Sequence, residues 1–239
     1  MMSSTQTSLP GATLWHRKCW SCAAEIEEQR LFCDFCGKIQ PPAPDPNYFA
    51  IFGLPRKLNL DITALERDFY KLSRKLHPDI FARATEREQE SSLANSSLLN
   101  DAYRTLKNPV SRTEYLLRLE GVAIGEESAR DKKQERAPAD LLEEVFELNM
   151  QLEEMRANQK VGEDDPQLRS DLTAAKVTFD GRMVEANQKL TQLWHAWDQA
   201  IDAGDEPRKD ALKQQMVALL DRRRYLRNLV RDVNEALEG

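Results

Sequence analysis

Cys19-Trp20-Ser21-Cys22 and Cys33-Asp34-Phe35-Cys36 hold all four cysteines of this chain, in the spacing C-x2-C-x10-C-x2-C. Two such knuckles can set four thiolates tetrahedrally around zinc at about 2.3 Å. The same ligands could hold iron, and paired cysteines also suit redox-active dithiols. In a reducing compartment the spacing favours metal over structural disulfides. No ligand is missing, so the pattern implies a closed structural site and not an open catalytic one. Gly37 eases the turn of the second knuckle. Trp20, Leu31, Phe32 and Phe35 are at hand to cover a module too small to fold unaided. His16 lies near Cys19, but four thiolates suffice; His195, between Trp194 and Ala196, reads as a helix-surface or packing residue. With 3 His and no Ser/His/Asp or Gly-rich phosphate motif, we find no catalytic constellation, so the chain is not read as an enzyme.

A second motif ends the stretch Lys71-Leu72-Ser73-Arg74-Lys75-Leu76-His77-Pro78-Asp79. Pro78 disfavours the helical region for His77, so a helix should stop there. Asp79 can then bond nearby backbone and hold the turn. Upstream, Leu65, Phe69, Leu72 and Leu76 recur at helical spacing behind a candidate N-cap at Asp61. Lys71 and Lys75 lie four apart on another face, where like charges repel slightly unless an acidic partner covers them. Asn47–Leu54 reads as a short helix ended by Gly53. A longer helix near Thr85–Lys107 carries Leu99, Tyr103 and Leu106 and breaks at Asn108-Pro109. Three helices in this order, with His-Pro-Asp between the second and third, resemble the J-domain, the module that stimulates ATP hydrolysis by DnaK-type chaperones.

Composition bounds the rest. The chain has 239 residues, 41% hydrophobic and 31% charged, with net charge −6 and 9 Gly. That predicts a helix-rich protein with little sheet and argues against non-specific nucleic-acid binding, which needs basic surface. No apolar run approaches the ~20 residues of a membrane span. The first residues lack a signal peptide's apolar core. Arg17 and Lys18 are their only basic residues before Cys19, fewer than a mitochondrial transit peptide would want. A cytoplasmic, bacterial protein is expected, with the mitochondrial matrix as the alternative.

The fold expected is all-α: a J-domain helical hairpin plus a C-terminal three-helix bundle, preceded by a small tetracysteine zinc module. The expected divisions are a flexible 1–15, the zinc module at 16–40, a Pro-rich linker at 41–46, the J-domain at 47–120, a charged linker at 121–139 and a helical domain at 140–239. The stretch Gln40–Pro46 should be stiff and extended and separate the module from the J-domain. In the last domain, Leu141, Val145, Leu148, Leu152 and Met155 form one heptad seam. Asp164-Asp165-Pro166 starts a second helix with a seam of Leu172, Phe179, Met183, Leu190, Leu193 and Trp197. Ala203-Gly204-Asp205 stops it. Pro207 starts a third, carrying Leu212, Met216, Leu219, Leu226, Val230, Val233 and Leu237. Leu142, Phe146 and Met150 make a second stripe on the first helix, with Glu147 beside it. That stripe is either part of a wide core face or a docking surface.

Further segments narrow the resemblance. Glu114–Gly121 looks like the end of the J-domain in the HscB (Jac-type) iron–sulfur co-chaperones, and Leu141–Leu148 resembles the opening helix of that family's C-terminal domain. The tetracysteine segment resembles the family's animal-type members. The resemblance implies a co-chaperone that binds an IscU-type scaffold protein and stimulates the ATPase of a DnaK/HscA-type chaperone. It implies that His77, Pro78 and Asp79 contact the chaperone, with Lys71 and Lys75 steering its acidic surface. It also implies that Leu142, Phe146, Glu147, Met150 and, on the last helix, Tyr225 meet the scaffold. Met150 is apolar where the family commonly has an acidic residue. A general J-domain co-chaperone for other clients is the alternative, and a homodimer stays open.

Overall fold

The structure, a computed structural model, describes residues 16–124 and 139–238. The expected flexible 1–15 and all but the ends of the expected linker at 121–139 lie outside the described residues. What is described divides into two compact units. One holds the residues up to Arg56 together with Leu60–Asn108; the other holds Lys57–Asn59 and the residues from Pro109 onward.

The first unit opens with β1 (His16–Lys18) and β2 (Glu25–Glu27), an antiparallel pair in which Arg17 lies opposite Ile26. Helix α1 (Tyr48–Ile51) is capped by Asn47, whose side chain accepts from the Phe49 and Ala50 amides. Helix α2 (Ile62–Leu76) starts at Asp61, whose carboxylate accepts from the Ala64 amide at 3.0 Å. It buries Leu65 and Leu76, with Phe69 and Leu72 half-buried on the same face. A 3-10 turn (Pro78–Phe81) leads to α3 (Glu86–Lys107), which opens on a capping box of Thr85 and Glu88. The two long helices run antiparallel. The Phe69 and Tyr103 rings stack with centroids 4.1 Å apart, and the Tyr103 hydroxyl donates to Glu66.

Gln40–Pro46, expected as a separator, is tied down instead. Gln40 is 1% exposed and Ala43 8%, and the Gln40 carbonyl accepts from Asn95 Nδ2 on α3 at 2.7 Å. The prolines keep the segment extended, but an extended chain leaves its carbonyls free for a neighbour's donors. The cysteine module and the α2–α3 hairpin therefore share one compact unit.

In the second unit Asn108-Pro109 does more than break a helix. Pro109 occupies the first turn of α4 (Pro109–Leu119), where its missing N–H costs nothing, and α4 buries Leu116 and Leu117. Three long helices follow: α5 (Leu142–Val161), after a 3-10 turn at Ala139–Leu141, then α6 (Pro166–Ala203) and α7 (Glu206–Glu238). Asp165 caps α6 by accepting from the Gln167 and Leu168 amides. Gly204, at φ +66°, ends it in the left-handed conformation that glycine adopts without strain. Glu144 on α5 meets Arg182 on α6, Gln159 donates to the Ala236 carbonyl, and Arg223 donates to Asn187. Arg169 also donates to the Leu237 carbonyl, so α6 runs antiparallel to α7.

The α5 seam is buried throughout: Leu141, Val145, Leu148, Leu152 and Met155 join Leu168, Leu172 and Phe179 from α6 and Leu226, Leu229 and Val233 from α7. On α7 the expected seam shifts. Leu219, Val230 and Leu237 are only half-buried, while the adjacent Leu220, Leu229 and Ala236 are buried. A helix that faces two neighbours buries a stripe wider than one heptad seam. Near the far end of α6 the Trp194 indole donates to Thr113 of α4 at 2.9 Å. The Asp198 carboxylate accepts from the Leu58 and Asn59 amides. Among the described residues, no helix is long and apolar enough to cross a membrane. Phe179, 2% exposed in the bundle core, offers the direct test of this packing. Phe179→Ala should cost about 3–5 kcal/mol, read from the urea midpoint of the helical signal.

Candidate functional site

The two knuckles repeat one set of bonds. The Cys19 amide donates to the Ala24 carbonyl and the Ala23 amide to the Cys19 carbonyl, at 2.8 and 3.0 Å. The Cys33 amide donates to the Lys38 carbonyl and the Gly37 amide to the Cys33 carbonyl, both at 2.9 Å. In each, the amide two residues on donates to the first sulfur: Ser21 to Cys19 and Phe35 to Cys33, both at 3.4 Å. Across the knuckles, Sγ of Cys19 lies 3.7 Å from Cys36 and Sγ of Cys22 lies 3.7 Å from Cys33. All four sulfurs lie within 4.8 Å of one another. A tetrahedral metal bonded to sulfur at about 2.3 Å needs sulfur–sulfur edges of about 3.8 Å. The four thiols fit that requirement, and no covalent S–S bond joins them.

The electrostatics suit a cation. Burial pushes the Cys19 thiol up, but the Cys22 and Ser21 amides and the Cys22 and Cys33 thiols hydrogen-bond its sulfur and bring it down to about 6. The Ala24 amide lowers Cys22, but burial and the neighbouring thiols outweigh it and push that thiol up to about 12. A bound cation would supply the charge that thiolates held this close require. Cys19 and Cys33 are buried with Ile26, whereas Cys22 and Cys36 are exposed. Phe35, expected to cover the site, is instead 74% exposed, because the knuckle turns its amide toward Cys33 and leaves the ring outside. Gln40 was not foreseen here: its Nε2 donates to Cys19 Sγ at 3.3 Å.

His77, Pro78 and Asp79 are all exposed at the end of α2. The cap of this turn is His77 and not Asp79: His77 Nδ1 accepts from the Asp79 amide at 3.3 Å, and the Asp79 carboxylate stands 3.5 Å from the same nitrogen. Lys71 and Lys75 are exposed on α2, with Lys71 3.3 Å from Asp68.

On α5, Leu142, Phe146 and Met150 are 56%, 67% and 58% exposed, and Glu147 is exposed too. At about 100° per residue the stripe lies roughly 140° round the helix from the buried seam. It is therefore no part of the core face. Tyr225 on α7 stands apart from these four in environment: it is half-buried and packs against the bundle core.

Residues 47–115 match the DnaJ domain family. The chain is 33% identical over 156 residues to the mouse (Mus musculus) iron-sulfur cluster co-chaperone protein HscB, an alignment covering 64% of each chain. It is 36% identical over 140 residues to the human (Homo sapiens) protein of that name, covering 57% of each. The matched stretch thus spans less than two thirds of those relatives' lengths. In fold, it aligns with the crystal structure of human co-chaperone protein HscB at TM-score 0.64 and 25% identity, over 92% of this chain and 98% of that one. It also aligns with chaperone HscB from Vibrio cholerae at TM-score 0.52 and 26% identity, over 80% and 98%.

Ala23 occupies the knuckle position that Gly37 fills in the other half, at φ +59° against +72°. A side chain there costs roughly 1 kcal/mol. Ala23→Gly should recover about that much stability in the metal-loaded protein, measured by the chelator concentration needed to strip the metal. The DnaJ match, the sequence relatives and the shared fold together give this chain a DnaJ domain at residues 47–115 and a likeness to the HscB co-chaperones.

Proposed function

We propose that this chain is an iron–sulfur cluster co-chaperone that binds an IscU-type scaffold and stimulates ATP hydrolysis by a DnaK/HscA-type chaperone, promoting cluster transfer. The observation that carries the reading is the turn His77-Pro78-Asp79, exposed at the end of α2 within a DnaJ-matched domain. Its shape is held by its own His77–Asp79 bond, so it is formed before any partner arrives. Lys71 and Lys75 supply positive charge on the same helix, which favours encounter with an acidic chaperone surface. Leu142, Phe146 and Met150 supply the client side, an apolar stripe left uncovered by a bundle whose core is complete without it. Tyr225 would contribute from α7. The residues of this chain do no bond chemistry. They hold the client and present the turn that triggers the chaperone's own hydrolysis.

The metal proposed is zinc, held by Cys19, Cys22, Cys33 and Cys36, with a structural role. Four sulfur ligands leave no open position for a substrate.

His77→Gln should abolish stimulation of chaperone ATPase in a steady-state assay and leave scaffold binding intact; unchanged stimulation would overturn the J-domain role. Leu142→Ala with Phe146→Ala should weaken scaffold binding by about ten- to a hundredfold in calorimetry, as loss of two anchor residues does. Because both side chains are exposed, the double variant should unfold within about 1 kcal/mol of wild type. Equal affinity would remove the stripe from the client site.

A further inference from the structure

Three side-chain ties run from the knuckles to the start of α3. The Arg87 guanidinium lies over the Trp20 ring, 4.9 Å from its centroid. Lys38 Nζ donates to Glu88 Oε1 at 2.7 Å, on a carboxylate side chain only 7% exposed. Asn95 Nδ2 donates to the carbonyl of Gln40, whose own side chain bonds Cys19 Sγ. Lys38 closes the second knuckle through its carbonyl, so it sits where a bound metal would fix the backbone.

Glu88 is the point where these ties reach the presented loop. Its second oxygen accepts from the Thr85 amide and hydroxyl, at 3.2 and 2.9 Å. Thr85 ends the segment that begins at His77. The next residue, Gln89, donates to the Ala82 and Ala84 carbonyls, both at 3.2 Å. One carboxylate thus joins the second knuckle on one side to the return of the His-Pro-Asp segment on the other. The Lys38 and Thr85 hydrogen bonds hold the Glu88 carboxyl below the usual range, so it is ionised at neutral pH.

The module cannot keep this arrangement alone. Its buried cluster is Cys19, Cys33 and Ile26, and its sheet is two strands of three residues. So small a core needs the metal to order it. We infer that metal occupancy of the four-thiol centre sets how firmly the His77-Pro78-Asp79 segment is held, with Lys38 and Glu88 as the positioning residues. The inference rests on the reading of that segment as the chaperone-contacting loop.

The test is amide hydrogen exchange on the full chain, loaded with zinc ion alone and then stripped by a chelator. The probes are the Ala84 amide, which donates to Phe81, and the Gln89 amide, which donates to Thr85. Stripping should speed their exchange about fivefold, as loss of one partly exposed ion pair implies. Amides in the middle of α2 and α3, at Phe69 and Ala102, should not change. Glu88→Gln keeps an acceptor for Thr85 and loses the charge that holds Lys38. In that variant the loop amides should exchange at one rate with and without zinc. The inference is overturned by a wild-type loop indifferent to stripping, by a Glu88→Gln variant that still responds as wild type, or by α2 and α3 exchanging as a whole. Exchange needs no chaperone, so the two readings separate. A zinc-dependent loop in a chain that fails to stimulate ATPase would sink the proposed function alone. Stimulation with a zinc-independent loop would sink the coupling alone.

Discussion

The carbonyl oxygen of Leu76 has lost its helical partner, and the first unit is arranged around that loss. In a continued helix it would accept from the amide of residue 80, but the Ile80 amide donates to His77 instead. The cause is Pro78, which cannot continue α2. Two hydroxyls from α3 take the carbonyl: Ser92 at 2.5 Å and Ser96 at 3.0 Å. A serine inside a helix more often bonds back to its own turn, as Ser91 does to Arg87. Ser92 and Ser96 reach across instead, and so fix α3 to α2 at the residue where the His-Pro-Asp segment departs. The segment is exposed, yet both of its ends are held.

Those serines also mark where sequence reading stops. Hydrophobic periodicity found α2 and the C-terminal half of α3, because Leu65, Leu76, Leu99 and Leu106 are apolar and inward. The N-terminal half of α3 buries Glu88, Ser91, Ser92 and Asn95 instead. A face of polar residues looks like solvent until its partners are known. For Ser92, Glu88 and Asn95 those partners are the Leu76 carbonyl, Lys38 and the Gln40 carbonyl, and only the last two come from the cysteine segment. The caps were legible for the opposite reason. Asp61 and Asp165 bond amides two or three residues away, within reach of local reasoning.

The same divide separates what could be read of the cysteine module. Ligand number and spacing are local, and the structure gathers all four sulfurs as the spacing requires. How the module attaches is not local. The prolines after Gln40 do stiffen the chain, but stiffness does not imply separation. An extended segment presents a row of carbonyls, and Asn95 takes one of them. Cover for the sulfurs likewise falls to Ile26, fixed opposite Arg17 by strand pairing, and not to Phe35, which is nearer in sequence.

Helix α5 carries the complementary lesson. Two apolar stripes on one helix are ambiguous by pattern, since a wide core face and a docking face look alike. Packing removes the core-face reading, since Leu142, Phe146 and Met150 are exposed. Among the described residues, the Leu141–Met155 seam packs with residues from both α6 and α7, and the second stripe takes no part in that cluster. Burying the exposed two thirds of Phe146 would stabilise the fold by about 1–2 kcal/mol, and the fold leaves that energy unused. Apolar surface of this size on a helix already satisfied behind is available to a partner at no cost in core packing. The stripe and the His-Pro-Asp segment are thus built by one rule. Each is exposed on an element whose other side is fully engaged: α5 by its buried seam, the segment by Ser92, Ser96 and Glu88. Exposure at either place therefore requires no part of the core to open.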